Sequence, residues 1–313
     1  MTKKSPTSKK QDSKEENSLI MPNSTITITL KKAIVSKKYK SVLASLAKKI
    51  SIDGFRKGTV PPKIAEEQLG QAKVIEYVLE ELIPEAYQKA VKDSKKTPIT
   101  RPEFSITSAK LGEDWIIESH FAELPEVSVK KYESYVKAGA KEGVKAIAKA
   151  KKDAAEKKKD DKDKTKTPEM TVDQEKEIKL QHIFKELVTK LKPKVPEMLL
   201  KQETQHEFEH ISGQLKQLNM TVEDYLKRRG MSIEDLSQDL AVSTLGKLQL
   251  DLLLGAIAKD KAFKVEDKDR EDYFATIKDE KAREQLKKDK HHLGHLETNL
   301  LKQKVVDHLL SLA

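Results

Sequence analysis

The sequence predicts an α+β domain at the amino-terminal end, followed by an elongated all-α helical domain with arms. Three observations carry that prediction. Thr25-Ile26-Thr27-Ile28-Thr29-Leu30 alternates polar and apolar residues with period two, the pattern of a strand with one buried face. From Val172 onward the apolar residues recur at helical spacing, as in Leu180, Ile183, Phe184, Leu187, Val188 and Leu191. Between these regions, residues 136–183 contain no Phe, Tyr or Trp, so a composition boundary separates them.

The elements follow in order. Residues 1–18 are polar and lysine-rich, the composition of a disordered tail. The α+β domain spans 19–132. After its first strand, Ile34, Val35, Tyr39, Val42, Leu43, Leu46 and Ile50 mark a helix, and Val74, Val78, Leu79, Leu82, Ile83 and Tyr87 mark another. Pro98 to Pro102 is a break, followed by short strands around 103–107 and 115–123 joined by a turn through Leu111-Gly112-Glu113-Asp114. Residues 133–171 read as a charged linker or solvated helix. Within 137–166 there are twelve lysines and six acids, with a solvated helix expected near 142–158 and a flexible linker over 159–168.

The helical domain spans 172–313. Pro193 and Pro196 bound a long helix near 197–218, with Pro196 suited to its first turn. Thr221 and Ser232, each followed by acids, are helix starts. Leu236, Leu240, Leu245, Leu248, Leu252 and Ile257 predict the most buried helix of this half, with shorter helices to Leu312. Narrow apolar stripes on long polar helices suggest protruding arms.

Composition narrows the chemistry. The chain has no cysteine, which excludes disulfides, zinc–thiolate sites and thiol catalysis. Residues 1–17 lack the apolar core of a secretory signal, and the run Leu252–Ala258 is too short to cross a bilayer, so a soluble cytoplasmic protein with no membrane partner is expected. The net charge is +10, and residues 31–64 hold ten cations against the single acid Asp53. Such a surplus attracts polyanions, although a lysine-rich helix face is more often merely solvated.

That basic segment leads into Asp53-Gly54-Phe55-Arg56-Lys57-Gly58-Thr59-Val60-Pro61-Pro62. Two glycines admit backbone angles closed to other residues, and two prolines stiffen the exit. The loop should be tight and hold Phe55, Arg56 and Lys57 toward solvent, where an aromatic and two cations would suit an anionic partner. The alternative is an ordinary turn with Phe55 tucked into its own domain.

Gly54-Phe55-Arg56-Lys57-Gly58-Thr59-Val60-Pro61 resembles the ribosome-docking signature of the bacterial trigger factors. The preceding strand, Lys110–Asp114 and Phe121–Val127 stand in that family's order. Lys194-Val195-Pro196 and Leu252–Ile257 are similar to parts of its helical body. The resemblance is stronger over 20–132 than over 172–313. It implies an ATP-independent chaperone that docks near the peptide exit of the large ribosomal subunit, against protein and RNA, through Gly54, Phe55, Arg56, Lys57, Gly58 and Pro61. The helical half would hold unfolded or nascent polypeptides, with oligomers formed away from the ribosome. No cofactor is implied. Two departures stand out. Trigger factors usually carry a peptidyl-prolyl isomerase domain of the FK506-binding type, and 136–183 lacks the aromatics for its pocket, so an isomerase-free, non-enzymatic variant is expected. Thr59 replaces a commonly basic residue, which would weaken docking.

Other chemistry is faint. His291 and His295 stand i,i+4 on a helix, but no zincin glutamate accompanies them, and a solvated or capping cluster with His292 is the better reading. Gly54 and Gly58 lack the context of a P-loop. Met198, Leu199 and Leu215 could offer a shallow stripe to apolar segments, or simply form helix–helix core. The rival functions are a basic RNA-binding protein, a periplasmic-type chaperone, and a diverged trigger factor that keeps isomerase activity.

Overall fold

The computed structural model describes residues 18–56, 58–160 and 170–313. The expected tail (apart from Ser18), Lys57 and most of the expected flexible linker therefore lie outside the described residues. The elements, in chain order, are β1 (Ile20–Met21), β2 (Ser24–Leu30), α1 (Lys32–Lys49), α2 (Pro62–Leu69), α3 (Gln71–Ser94), β3 (Glu103–Ser108), β4 (Trp115–Phe121), α4 (Tyr132–Asp160), α5 (Val172–Leu191), β5 (Val195–Pro196), α6 (Glu197–Gln217), α7 (Val222–Arg229), α8 (Ile233–Asp260), α9 (Asp267–Ala275), α10 (Glu280–Lys288) and α11 (Lys290–Ser311). They divide into two compact units, the first holding Pro22–Leu124 with Pro196–Gln202, and the second Pro125–Val195 with Glu203–Ala313 and the residues up to Met21.

In the first unit β2, β4 and β3 form an antiparallel sheet in that order, with Ile28 opposite Ile117 and Leu30 opposite Trp115. Alternation decides the burial: Ile26, Ile28 and Leu30 turn inward while Thr25, Thr27 and Thr29 face out. The helices α1 and α3 cover the inner face through Val35, Tyr39, Val42, Leu43, Val74 and Val78. Ile34, expected in that stripe, is exposed because it faces away from Val35 and Tyr39. Met198 and Leu199, in the first turn of α6, pack onto this same core, which answers for them as core residues. Asn23 Oδ1 accepts the Met198 N–H at 2.8 Å.

In the second unit α4 and α5 form a hairpin. The segment expected to be a solvated linker is, over Tyr132–Asp160, one long helix whose Tyr132, Val136 and Ala140 are buried with Ile183 and Leu187. The absence of aromatics has a packing reason. A Cβ on Gly139 would meet Ile183 Cα at 2.7 Å, and one on Gly143 would meet Lys179 Cα at 2.9 Å, so the backbones touch where those glycines sit. Leu253, Leu254 and Ile257 of α8 and Val305 and Leu309 of α11 complete this core. Tyr132 Oη and His308 Nε2 lie 2.8 Å apart across it.

Helix starts follow the expected capping chemistry. Thr221 Oγ1 accepts Asp224 N–H at 3.1 Å, and Ser232 forms a reciprocal capping box with Asp235. Thr171 does the same with Gln174 at the start of α5. In α8 the buried set is Leu236, Thr244, Gln249, Leu253, Leu254, Ile257 and Ala258, whereas Leu240, Leu245, Leu248 and Leu252 are only half-buried. The expected leucine stripe is therefore rotated toward the side that carries Gln249, whose Nε2 donates to the Pro193 carbonyl at 2.9 Å. Taken whole, α8 is long and apolar enough by length and composition to cross a membrane, a property missed by looking only at uninterrupted apolar runs. Leu215 of α6 is buried as well.

Candidate functional site

The glycine loop between α1 and α2 is built from its two ends inward. Helix α1 stops at Ile50, whose N–H still reaches the Leu46 carbonyl at 3.0 Å. Ile52 packs partly into the first core, and Val60 is 5% exposed. Burying a valine to that degree contributes about 1.5–3 kcal/mol, so the loop is pinned at both feet. Pro61 is the N-cap of α2 and Pro62 its first residue, where a missing N–H costs nothing. The Pro61 carbonyl accepts Ala65 N–H at 3.0 Å.

Between these feet the chain turns twice. Gly54 has φ +85° and Gly58 φ +89°, values in the left-handed region that a side chain would strain. The Phe55 N–H donates to the Ile52 carbonyl at 3.1 Å, closing the first turn. The second is closed by Thr59, whose N–H and hydroxyl both donate to the Arg56 carbonyl, at 3.0 and 2.7 Å. Thr59, noted in the sequence only as a lost cation, is thus the residue that ties the apex shut.

The apex holds Phe55 and Arg56. Phe55 is 37% exposed, and Arg56 is exposed and unpaired among the described residues. Gly54, Gly58 and Pro61 are exposed too, and Lys57 lies outside the described residues. Behind the apex, Lys37, Lys40, Lys48, Lys49 and Lys63 are exposed and form no ion pair among the described residues. By contrast Lys31 pairs with Asp114 at 2.9 Å and Lys38 with Glu81 at 2.6 Å. The surface around the loop therefore keeps most of its positive charge free, which steers anions toward it over roughly a Debye length of about 8–10 Å.

Residues far apart in sequence brace the loop. Tyr39 Oη donates to Glu66 Oε1 at 2.6 Å, bridging α1 and α2 across it. Burial first, then the Glu66 carboxylate, pushes the Tyr39 phenol well above its ordinary value. Asp114, from the β3–β4 turn, accepts Lys32 N–H at 2.8 Å and Lys31 Nζ at 2.9 Å. These bonds, the backbone one first, hold its carboxyl below the usual range. The only sequence signals for these braces were the apolar residues flanking the glycines and an acid in a turn.

The histidines are placed differently. The His291 side chain lies outside the described residues. His292 sits near Tyr273, with ring centroids 6.4 Å apart, and its N–H donates to Asp289 Oδ1 at 3.2 Å, a capping role. Among the described residues no cluster of histidines and acids is spaced to hold a metal.

Comparison with known proteins follows this geometry. Residues 12–142 match the family described as Bacterial trigger factor protein (TF), and residues 132–311 match Bacterial trigger factor protein (TF) C-terminus. The trigger factor of Streptococcus pneumoniae (strain JJA) is 29% identical over 109 residues, covering 35% of this chain and 26% of that protein. That of Streptococcus sanguinis (strain SK36) is 35% identical over 91 residues, covering 29% of this chain and 21% of that protein. The chain thus aligns with about a quarter of the length of these curated relatives. A solved structure described as "Promiscuous Substrate Recognition in Folding and Assembly Activities of the Trigger Factor Chaperone" superposes with a TM-score of 0.56 at 15% identity, over 92% of this chain and 97% of that one, a likeness of fold. The two family matches overlap at 132–142 and leave no residues between them, and no isomerase domain is found there. An α+β region with a small antiparallel sheet, then a helical domain joined directly to it, is the arrangement seen throughout, and the chain belongs to the bacterial trigger factor family.

Proposed function

We propose that this protein is an ATP-independent, cytoplasmic chaperone that docks on the large ribosomal subunit near the peptide exit and shields nascent polypeptides there. The observation that carries the reading is the exposed Phe55–Arg56 apex, held between two left-handed glycines and backed by unpaired lysines. Gly54, Gly58 and Pro61 set the turn. Phe55 offers an apolar contact, and Arg56 with Lys57 offers charge to phosphate or carboxylate groups. The helical domain holds emerging chains by mass action, and release needs no nucleotide. Without an isomerase domain the protein works by binding alone.

Cosedimentation with ribosomes tests the docking. Changing Phe55, Arg56 and Lys57 together to alanine should abolish binding, and unchanged binding would sink the claim. A refolding assay limited by proline isomerisation tests the non-enzymatic reading, since clear acceleration refutes it. The basic surplus along α1 favours one second reading, binding to free RNA. That reading requires affinity for protein-free RNA that falls steeply with salt.

A further inference from the structure

The sheet of the first unit leaves one strand half covered. In the order β2-β4-β3, β3 is an edge, and Glu103 to Thr107 are all exposed. Among the described residues no backbone hydrogen bond runs from β3 to anything but β4. Its register puts Phe104 opposite Ser119 and Ile106 opposite Ile117, both buried positions, so Phe104 and Ile106 point to the helix side. The helix layer does not reach them fully: Phe104 is 38% and Ile106 54% exposed. They form one wall of a groove whose other wall is Ile75, Leu79 and Ile83 of α3.

An open strand edge beside an apolar groove is the geometry of β-strand addition, in which main-chain bonds give affinity and alternate side chains fill the groove. The groove's charge selects the occupant. Its lining includes Glu76 and Glu80 and no cation, in a chain whose net charge is +10. Lys73 bonds Glu76 at 2.7 Å, whereas Glu80 forms no ion pair among the described residues. On the sheet's other face Glu103 and Glu118 stand near the same edge, Glu103 paired with Lys201 at 2.7 Å. A second copy of this chain is disfavoured, because a two-fold contact would set Glu76 and Glu80 against themselves.

We propose that the β3 edge and this groove bind one extended peptide segment as a fourth strand, with apolar residues at alternate positions and lysine or arginine between them. The inference rests on the chaperone reading only for the natural source of such a segment. The probe is a fluorescein-labelled nonapeptide alternating valine and lysine, titrated into the full chain by anisotropy and followed by amide exchange. It should slow exchange over 103–107 and bind at least about fivefold more weakly to Ile106→Lys and Glu80→Lys. A peptide with glutamate in place of lysine should bind about tenfold more weakly than the lysine form. Trp115 fluorescence reports folding, and Glu80→Lys, a change at an exposed helix position, carries the test if Ile106→Lys does not fold. Wild-type affinity in Glu80→Lys overturns the proposal, as does protection confined to the helical domain. Protection of 103–107 that rises with protein concentration and without peptide overturns it in favour of a second copy. No ribosome or folding client is present in the assay, so its failure leaves the docking and shielding reading standing.

Discussion

Asp114 caps a helix that begins 82 residues before it: its carboxylate accepts the Lys32 N–H at 2.8 Å and binds Lys31 Nζ at 2.9 Å. Helix α1 has no side-chain cap of its own and no acid in its first turn, so the β3–β4 turn supplies the negative charge its N-terminus lacks.

Replacing Asp114 with asparagine or alanine should lower the melting temperature by about 2–4 °C. The pH dependence has a fixed sign. The folded carboxyl titrates below its ordinary value, so its contribution is full above the unfolded carboxylate pKa and is lost as pH falls through the depressed one. Urea melts of wild type and Asp114→Asn should therefore differ at neutral pH and converge in acid.

Tyr39→Phe removes the bond to Glu66 across the loop and should cost about 1 kcal/mol in denaturant melts. Because burial and Glu66 raise the phenol's pKa, its contribution is complete below the unfolded tyrosine value and shrinks as pH rises toward the folded one. Wild type should lose stability in that alkaline range, and Tyr39→Phe should lose less.

Thr59 is expected to matter through its hydroxyl. Thr59→Val keeps the shape but drops the 2.7 Å bond to the Arg56 carbonyl, so amide exchange at residues 54–59 should quicken by about fivefold. Ribosome cosedimentation should weaken with it, and Thr59→Ser should restore both. Equal exchange in all three proteins would assign the closing of the loop to backbone alone.

Two helical glycines should respond oppositely to alanine. Gly139→Ala drives a methyl to within 2.7 Å of Ile183 Cα and 2.8 Å of the His182 carbonyl oxygen, and the crowding, about 1–3 kcal/mol, exceeds the helix-propensity gain. Gly246, inside α8, has nothing within 4 Å of an added Cβ, and its alanine variant should gain about 0.5–1 kcal/mol. Thermal melts of the two proteins decide this directly.

Much of the candidate site could be read from the sequence. Gly54 and Gly58 announce left-handed turns, and Pro61-Pro62 announces a helix start, because each residue's own backbone restrictions are local. The feet of the loop were not legible. Ile52 and Val60 look like any apolar residues beside a turn until Ala65 and Tyr39 are brought against them. Thr59 read as a missing charge because a hydroxyl bond to a carbonyl three residues back leaves no mark in composition.

The sequence by itself determined the β2 strand, the capped starts of α5, α7 and α8, the loop and the boundary in composition, since period, capping and turn chemistry act within a few residues. Only the tertiary structure decided that residues 132–160 pack as a helix, that α8 buries Gln249 and Leu253 more fully than Leu252, and that β3 keeps an open edge. Those outcomes depend on partners brought from afar. A lysine- and alanine-rich stretch is a linker or a helix-packing surface according to whether another backbone, here that of His182 and Ile183, lies against its glycines.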